Sequence, residues 1–400
     1  MPRATAIAVL FFLTPALLGA DWLQFRGSDN RGVADNEKLP TKFGPEENVA
    51  WKTPLPGKAV CGPIVIGDRV VVTAASGAVL QDRLHVICLD AKSGQQRWQR
   101  QFWATGRAHH HPTSSNAAPT PASDGQRIFA FYSSNDLVCL DLEGNLLWYR
   151  GLGLDYPRTG NDIGMSASPL VVGDTVVVQV ECQGDSFAAG LDTATGENRW
   201  RIDRPHAPNW VSPAALRRPD GQHVVLLQAG EGLTAHEAKT GKQLWKYDTD
   251  CASIASLATA GDRVFLPARG LTVLEAPAGS NAPSLVWESN RLAPGNSSPV
   301  IDGERLYVLS KAGVLAAAET KTGDLLWQQR LKGTFWATPV VAGGHAYCVN
   351  QDGDCLVVKL GAKGEIVHTA TFGEPFYGTP AAAAGALYLR GDKHLWKIAN

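Results

Sequence analysis

Few residue patterns in this sequence could carry covalent or metal chemistry. His109, His110 and His111 form its densest group of potential metal ligands. Consecutive residues of an extended chain point in alternating directions, so three adjacent histidines seldom bind one ion together. There is no Gly-x-Ser-x-Gly nucleophile elbow, no glycine-rich phosphate loop and no His-Glu-x-x-His zinc motif. We therefore predict no catalytic residue and no metal site, and place the histidines in a loop that is either solvated or part of a channel mouth.

A second pattern consists of side chains that lie three residues before a proline, or before the leucine that replaces one proline. If a repeated fold brings these positions together, they form one ring: Val60, Asn116, Ser166, Trp210, Ile254, Asn296, Trp336 and Tyr377. Longer loops add further polar groups: His111, Arg158, Asn161, Asp162 and His206. Mixed aromatic, amide and charged groups suit a polar ligand or a peptide segment; alternatively, they plug a channel. The predicted binding residues are Asn116, Arg158, Asn161, His206, Trp210, Asn296, Trp336 and Tyr377.

These positions belong to a repeat of about 40 to 55 residues. Each copy begins with a small or hydroxyl residue and Pro, and continues with short runs rich in β-branched residues. It ends with an acidic residue, Gly four positions later and Trp four after that; the third copy has Pro169, Asp192, Gly196 and Trp200. Four short strands at this period are typical of a propeller blade. We predict an all-β, eight-bladed β-propeller of four-stranded antiparallel blades.

The repeated tryptophan is predicted to lie on the outermost strand and to pack against the neighbouring blade. His368 takes its place in the seventh repeat, so that junction is predicted to be looser than the others. The blade-docking residues are Trp51, Trp98, Trp148, Trp200, Trp245, Trp287 and Trp327.

The N-terminal strand is predicted to close the ring. Trp51 has no blade before it, and the last repeat runs out of chain before its outermost strand. Pairing residues 49–53 with the blade formed by residues 376–399 removes the exposed edges. The predicted organisation is a signal peptide at 1–20, a lead-in at 21–47 and a single propeller domain at 48–400.

Charge and targeting features narrow the class further. With 37 basic and 38 acidic residues, the chain lacks the excess positive charge that would indicate binding to nucleic acid or to an anionic membrane surface. A basic start, an apolar run at 6–18 and small residues at 18–20 indicate a cleaved secretory peptide, with an uncleaved anchor as the alternative. We expect a periplasmic or secreted monomer without a membrane span. Cys348 and Cys355 either form a disulfide across a hairpin or are buried small hydrophobes.

The repeat resembles that of the pyrroloquinoline-quinone (PQQ) propeller superfamily, on residues 191–200 and 319–327. It looks most like the exported PQQ-like repeat proteins grouped with the outer-membrane assembly factor BamB, and residues 22–27 resemble their lead-in. The superfamily includes both quinoprotein dehydrogenases and non-catalytic scaffolds, so the resemblance implies the fold and leaves activity open.

The dehydrogenases of this superfamily typically clamp PQQ with a vicinal cysteine pair and hold Ca²⁺ through Glu, Asn and Asp. This sequence has no adjacent cysteines. We therefore predict an exported, non-catalytic binding or scaffold protein of the cell envelope that needs no cofactor. Its partner is a protein or a small polar ligand. The alternatives are a PQQ- and calcium-dependent oxidoreductase and a glycan-processing enzyme, for which only Asp155 and Asp162 lie near the axis.

Overall fold

The described chain is almost entirely β-structure, arranged as eight antiparallel four-stranded blades, one of which gains a fifth, parallel strand from the lead-in. The computed structural model describes residues 21–400 apart from 36, 78, 79, 219–221, 278 and 280, so the predicted signal peptide lies outside the described residues. In each sheet the chain meanders from an inner strand outwards, as the short β-branched runs bounded by Gly, Pro and Asp predict. The predicted eight-bladed propeller is confirmed.

The first four blades follow β1, which lies in the lead-in, and β2, which comes directly after it. The bounds are β1 (Val33–Ala34), β2 (Val49–Pro54); blade 1, β3 (Ile64–Ile66), β4 (Arg69–Ser76), β5 (Arg83–Asp90), β6 (Gln96–Trp103); blade 2, β7 (Ala122–Ser123), β8 (Arg127–Phe131), β9 (Asp136–Asp141), β10 (Leu146–Gly151); blade 3, β11 (Leu170–Val172), β12 (Thr175–Val180), β13 (Phe187–Asp192), β14 (Asn198–Asp203); blade 4, β15 (Ala214–Arg217), β16 (His223–Ala229), β17 (Gly232–Glu237), β18 (Gln243–Asp248).

The last four blades continue the same order. The bounds are, in blade 5, β19 (Ala258–Ala260), β20 (Arg263–Leu266), β21 (Leu271–Glu275), β22 (Ser284–Ser289); blade 6, β23 (Val300–Asp302), β24 (Arg305–Leu309), β25 (Val314–Glu319), β26 (Leu325–Arg330); blade 7, β27 (Val340–Ala342), β28 (His345–Val349), β29 (Asp354–Lys359), β30 (Glu365–Thr371); blade 8, β31 (Ala381–Ala383), β32 (Ala386–Arg390), β33 (His394–Ile398).

In the part of the chain that the structure describes, helical structure is confined to two short segments. They are α1 (Leu152–Asp155) and a 3-10 helix, Asn290–Leu292. Within the described residues, no helix is long and apolar enough to cross a membrane.

Strand β2 supplies the fourth strand of blade 8. It pairs antiparallel with β33, with Trp51 opposite Lys397 and Thr53 opposite Leu395. The predicted closure is confirmed, and both edges of an otherwise open ring are covered.

The tryptophans predicted to dock the blades lie at the blade junctions. The Trp148 ring packs on Gly196 of the next blade so closely that a Cβ there would lie 2.6 Å from it. The preceding Asp192 caps the same turn, since its Oδ1 accepts the N–H groups of Ala194 and Thr195 at 2.8 and 3.0 Å. Six indole N–H groups donate to a carbonyl of the next blade: Trp51 to Ala91, Trp98 to Leu142, Trp148 to Thr193, Trp200 to Ala238, Trp287 to Thr320 and Trp327 to Gly361.

Trp245 is buried at the junction between blades 4 and 5, but its Nε1 has no hydrogen-bond partner among the described residues. The next blade is the one in which extra residues follow the acidic position. A Cβ on its Gly279 would meet nothing within 4 Å, so the Trp–Gly contact of the other junctions is absent there.

The junction at His368 differs from the prediction. The lead-in residue Phe43 fills it, with only 1% of its surface exposed. Its ring meets the His368 ring edge-on at 5.5 Å, and its N–H donates to His368 Nε2 at 3.2 Å. The sequence repeat could not indicate this contact, because Phe43 lies outside the repeats. Phe43 therefore fills the space that His368 leaves by being smaller than Trp, and the junction is packed rather than loose.

The lead-in lies against all eight blades. Its contacts follow the inner strands and their first turns, at the end of the propeller opposite the loops that join one blade to the next. The contacts, from blade 1 to blade 8, are Trp22 with Val65, Leu23 with Ser123, Gln24 with Val171, Ser28 with Arg217, Arg26 with Leu257, Val33 with Val300, β1 with β27, and Glu37 with Ala384 and Gly385.

All seven cysteines are free. Cys348 lies opposite Leu356 and Cys355 opposite Val349, so the two thiols leave the hairpin on opposite faces and join different hydrophobic clusters. The disulfide alternative is therefore wrong, and both residues pack as small hydrophobes. Burial raises the pKa of Cys348 to about 12, which keeps it a neutral thiol.

Candidate functional site

An axial cavity of about 450 Å³ opens where the loops between blades converge. Each loop brings its residue to the axis because the inner strand begins directly after the Pro position, or after Leu257 in blade 5. Seven of the eight predicted ring positions line the cavity: Val60, Ser166, Trp210, Ile254, Asn296, Trp336 and Tyr377.

Asn116, the eighth predicted position, does not line the cavity. Blade 2 contains two prolines, and Pro121 rather than Pro119 directly precedes strand β7. Ala118 therefore occupies the ring position. Asn116 is buried two residues away, where its Nδ2 donates to Gln81 O at 3.2 Å and its Oδ1 accepts the Ser134 N–H at 2.9 Å.

Four of the five polar residues predicted from the longer loops also lie elsewhere. Arg158 is exposed and pairs with Asp185 at 3.1 Å, and Asp162 pairs with Arg107 at 2.8 Å. Asn161 is buried within its own loop, and His206 is exposed. These loops are long enough to fold over the surface, and only His111 of this group reaches the cavity.

A belt of hydroxyl groups lies beneath the ring, one position before each inner strand's Pro. Seven backbone N–H groups, those of Gly62 and of every belt residue except Thr379, donate to the hydroxyl of the next blade at 2.9 to 3.1 Å. Gly62 stands where the eighth hydroxyl would be, because a Cβ there would lie 2.2 Å from Thr379 O. The belt members are Thr120, Ser168, Ser212, Ser256, Ser298, Thr338 and Thr379.

The hydroxyl belt was missed as a functional feature, although its signal is in the sequence. A small or hydroxyl residue precedes the Pro of most repeats. A hydroxyl that accepts one N–H can still donate its own hydrogen. All seven belt hydroxyls line the cavity, and none of them donates to another described residue. The belt therefore presents O–H donors to whatever enters.

The cavity wall above the belt is largely apolar and aromatic. Trp210 is fixed by its Nε1, which donates to Gly164 O at 2.8 Å. Trp336 is 41% exposed and Ile163 is 45% exposed, so apolar surface faces solvent at the mouth. Burial, with a smaller contribution from Asp392, raises the pKa of Tyr377, so its phenol stays neutral at physiological pH.

The lead-in closes the other end of the cavity. Phe25 lines it, and the neighbouring Arg26 lies with its guanidinium 5.1 Å from the Phe25 ring. Arg26 Nη2 donates to the carbonyl of Leu257, the residue after Ser256 of the belt, at 2.7 Å. Burial lowers the pKa of Arg26 to about 9, although the nearby Asp29 opposes this shift, so the group stays protonated at neutral pH.

An eight-bladed propeller built from this repeat defines the class of PQQ-like β-propellers. Within that class, the chain belongs to the family described as outer membrane protein assembly factor BamB, which matches residues 45–214, 158–274 and 272–360.

Individual relatives are distant. The outer membrane protein assembly factor BamB of Burkholderia pseudomallei is 22% identical over 374 residues, covering 91% of this chain and 82% of that protein. The crystal structure of BamB from Moraxella catarrhalis has a TM-score of 0.64 at 16% identity, covering 88% of this chain and 98% of that one. A europium-containing methanol dehydrogenase has a TM-score of 0.70 at 14% identity, covering 94% of this chain and 90% of that one. At these identities the solved structures show the shared fold alone.

The cavity residues do not fit PQQ. The cofactor carries three carboxylates and, in the dehydrogenases, sits beside a cation. No Asp, Glu, Lys or Arg is among the residues that line the cavity. Among the described residues there is also no cluster of three or more His, Cys, Asp or Glu that could hold a metal ion.

Proposed function

We propose that this protein is an exported, non-catalytic scaffold of the cell envelope, and that its protein partner contacts the axial mouth. The observation that carries the proposal is the aromatic and apolar rim of the cavity. Trp210, Trp336, Tyr377 and Ile163 form this rim, and no Asp, Glu, Lys or Arg among the described residues lines the cavity. Large aromatic side chains in a recess are the usual anchors of protein interfaces. The related B. pseudomallei protein is described as an outer membrane assembly factor, which supports a partner in the envelope.

The enzymatic alternatives find no support at this site. The dehydrogenase-like fold favours a quinoprotein, but the lining residues offer no carboxylate for its cation, and the single buried Arg26 beneath them does not match the three carboxylates of PQQ. A glycan-processing enzyme needs two facing carboxylates. Asp155 and Asp162 are instead paired with Arg150 and Arg107, and neither lines the cavity.

The triple variant Trp210→Ala, Trp336→Ala and Tyr377→Ala tests the proposal. Envelope proteins crosslinked to the wild-type protein in its native envelope are identified by mass spectrometry, and the strongest is purified for titration. We expect the triple variant to bind this partner at least tenfold more weakly while its melting temperature stays close to the wild-type value, because these side chains are only partly buried.

Trp103→Ala is the matched control, because Trp103 is 58% exposed, lies at the end of β6 and does not line the cavity. Equal partner affinity in wild type and a folded triple variant refutes the proposal. Failure of the triple variant to fold shows instead that the three residues are part of the core.

A further inference from the structure

Arg26 is a buried cation whose hydrogen-bonding capacity is largely unused. Its side chain has only 1% of its surface exposed. Nη2 has one acceptor, the Leu257 carbonyl, whereas Nε and Nη1 have no partner among the described residues. Arg26 is absent from every ion pair within 4.0 Å in the described part of the chain, so its charge has no direct counter-ion there. An unpaired buried charge costs several kcal/mol unless an anion approaches it.

The position of Arg26 places this charge beneath the axial cavity. Its chain neighbour Phe25 lines the cavity, and its only acceptor belongs to the residue that follows Ser256 of the hydroxyl belt. No Asp, Glu, Lys or Arg among the described residues lines the cavity, so the Arg26 guanidinium dominates the electrostatic potential at its inner end. The field there favours a negative group.

The belt supplies the matching hydrogen-bond chemistry. Seven hydroxyl oxygens already accept a backbone N–H, so each has its O–H hydrogen left to donate. Converging donors around a site without acidic side chains suit an oxyanion, and donors to a charged acceptor make the stronger hydrogen bonds. The outer wall, with Trp210, Trp336 and Ile254, suits an apolar body.

We propose that the axial cavity binds an organic carboxylate with an aromatic body, its carboxylate directed to the hydroxyl belt above Arg26 and its ring against the aromatic wall. This deepens the proposed function, on which it rests, by naming the group that the cavity accepts. The volume of about 450 Å³ suits a ligand of one or two fused rings. The carboxylate can come from a free aromatic acid or from the C-terminus of a peptide that ends in an aromatic residue.

The first test compares an acid with its neutral counterpart. Binding of 2-naphthoate and of 2-naphthalenemethanol to the mature protein is measured by calorimetry and by the fluorescence of the cavity tryptophans. We expect the acid to bind at least tenfold more tightly than the alcohol. Arg26→Met should remove most of this preference and leave binding of the alcohol unchanged, since Met keeps a long apolar side chain and the neutral alcohol makes no use of the charge. Equal affinities of acid and alcohol for the wild type overturn the proposal, as does failure of both probes to bind.

A second pair of variants keeps the test decisive if Arg26→Met does not fold. Ser298 belongs to the belt, whereas the adjacent Ser297 is equally buried, donates to Ala337 O at 2.8 Å and does not line the cavity. We expect Ser298→Ala to weaken naphthoate binding severalfold and Ser297→Ala to leave it unchanged. Equal effects of the two variants on acid and alcohol refute a directed carboxylate.

Short peptides ending in Phe, with a free or an amidated C-terminus, distinguish the two sources of the carboxylate. Tight binding of the free acid peptide alone identifies a chain terminus, and binding of naphthoate alone identifies a small molecule; both support the cavity chemistry. If no acid binds but the triple aromatic variant still loses its protein partner, this inference fails and the proposed function stands. If acids bind but that variant keeps its partner, the proposed function fails instead.

Discussion

Trp148 and Gly196 form the smallest repeated unit of the blade junctions. The indole covers the turn of the next blade and donates to its Thr193 carbonyl at 3.1 Å. The glycine has a φ of +73° and no room for a Cβ. Trp148 and Gly196 lie 48 residues apart in the sequence and on adjacent blades, because the repeat places an equivalent Trp and Gly in most blades.

Removing one docking tryptophan should destabilise the protein strongly. Trp200 is 7% exposed and packs on Gly241, so Trp200→Ala is expected to lower the free energy of unfolding by about 3 to 5 kcal/mol. The measurement is urea denaturation of the mature protein. Trp103→Ala, at an exposed tryptophan, should change the stability little; a similar loss in both variants would contradict the docking role.

The glycines of the turns provide a test that separates crowding from backbone strain. Gly196 and Gly385 have φ angles of +73° and +72°, but only at Gly196 would a Cβ meet a ring. Gly196→Ala should therefore be about 1 to 3 kcal/mol more destabilising than Gly385→Ala, the part due to overpacking. Thermal and urea unfolding measure both losses. If the two variants lose the same stability, the whole effect is due to backbone strain at positive φ.

The turn carboxylates should make stability depend on acid pH. The Arg199 guanidinium, and then the N–H groups of Thr195 and Ala194, lower the pKa of Asp192 to about 2. Since the folded-state pKa lies below the ordinary value, this stabilisation is present above about pH 4 and is lost as the pH falls towards 2. Asp192→Asn should reduce the slope of unfolding free energy against pH in this window, and Glu46→Gln, at an exposed site, should not. An unchanged slope in Asp192→Asn would show that the turn carboxylate does not contribute.

At the scale of elements, the repeats explain which parts of the fold and site could be predicted. Short β-branched runs and the Asp–Gly–Trp spacing predicted the blades, and the unmatched Trp51 predicted the closure. Asn116 was misplaced because blade 2 offers two prolines and only strand pairing shows that Pro121 is the equivalent one. The lead-in contacts escaped prediction because residues 21–47 have no copy elsewhere in the chain to compare with.

The lead-in should therefore contribute to stability as a blade element does. Phe43 fills the junction at His368 and also packs on Tyr347 and Phe372. Phe43→Ala is expected to cost about 3 to 5 kcal/mol of unfolding free energy, as a docking tryptophan does. His368→Trp should also destabilise, because the larger ring would have to displace Phe43. A rise in melting temperature in His368→Trp would contradict this account of the junction.

At the scale of the whole molecule, one end of the propeller is covered and the other is open. The lead-in contacts every blade on one side, while the loops on the other side surround the cavity mouth. Among the described residues, the loop side is therefore the open route to the cavity, and Phe25 and Arg26, rather than the repeats, set the chemistry at the other end. This is why the repeat pattern predicted the ring at the mouth but not the charge beneath it.

The pairing of β2 with β33 also sets an order of events during folding. The two strands come from opposite ends of the described chain, and the Glu37 contact with Ala384 joins residues 347 positions apart. When the chain is made or exported amino terminus first, β2 has no pairing partner until the hairpin of β32 and β33 is available. Such non-local pairings raise the contact order and slow folding, and the waiting strand is an open edge for another chain. We therefore expect completion of the ring to be the slowest and most aggregation-prone step of folding, and the step that a chaperone would assist most.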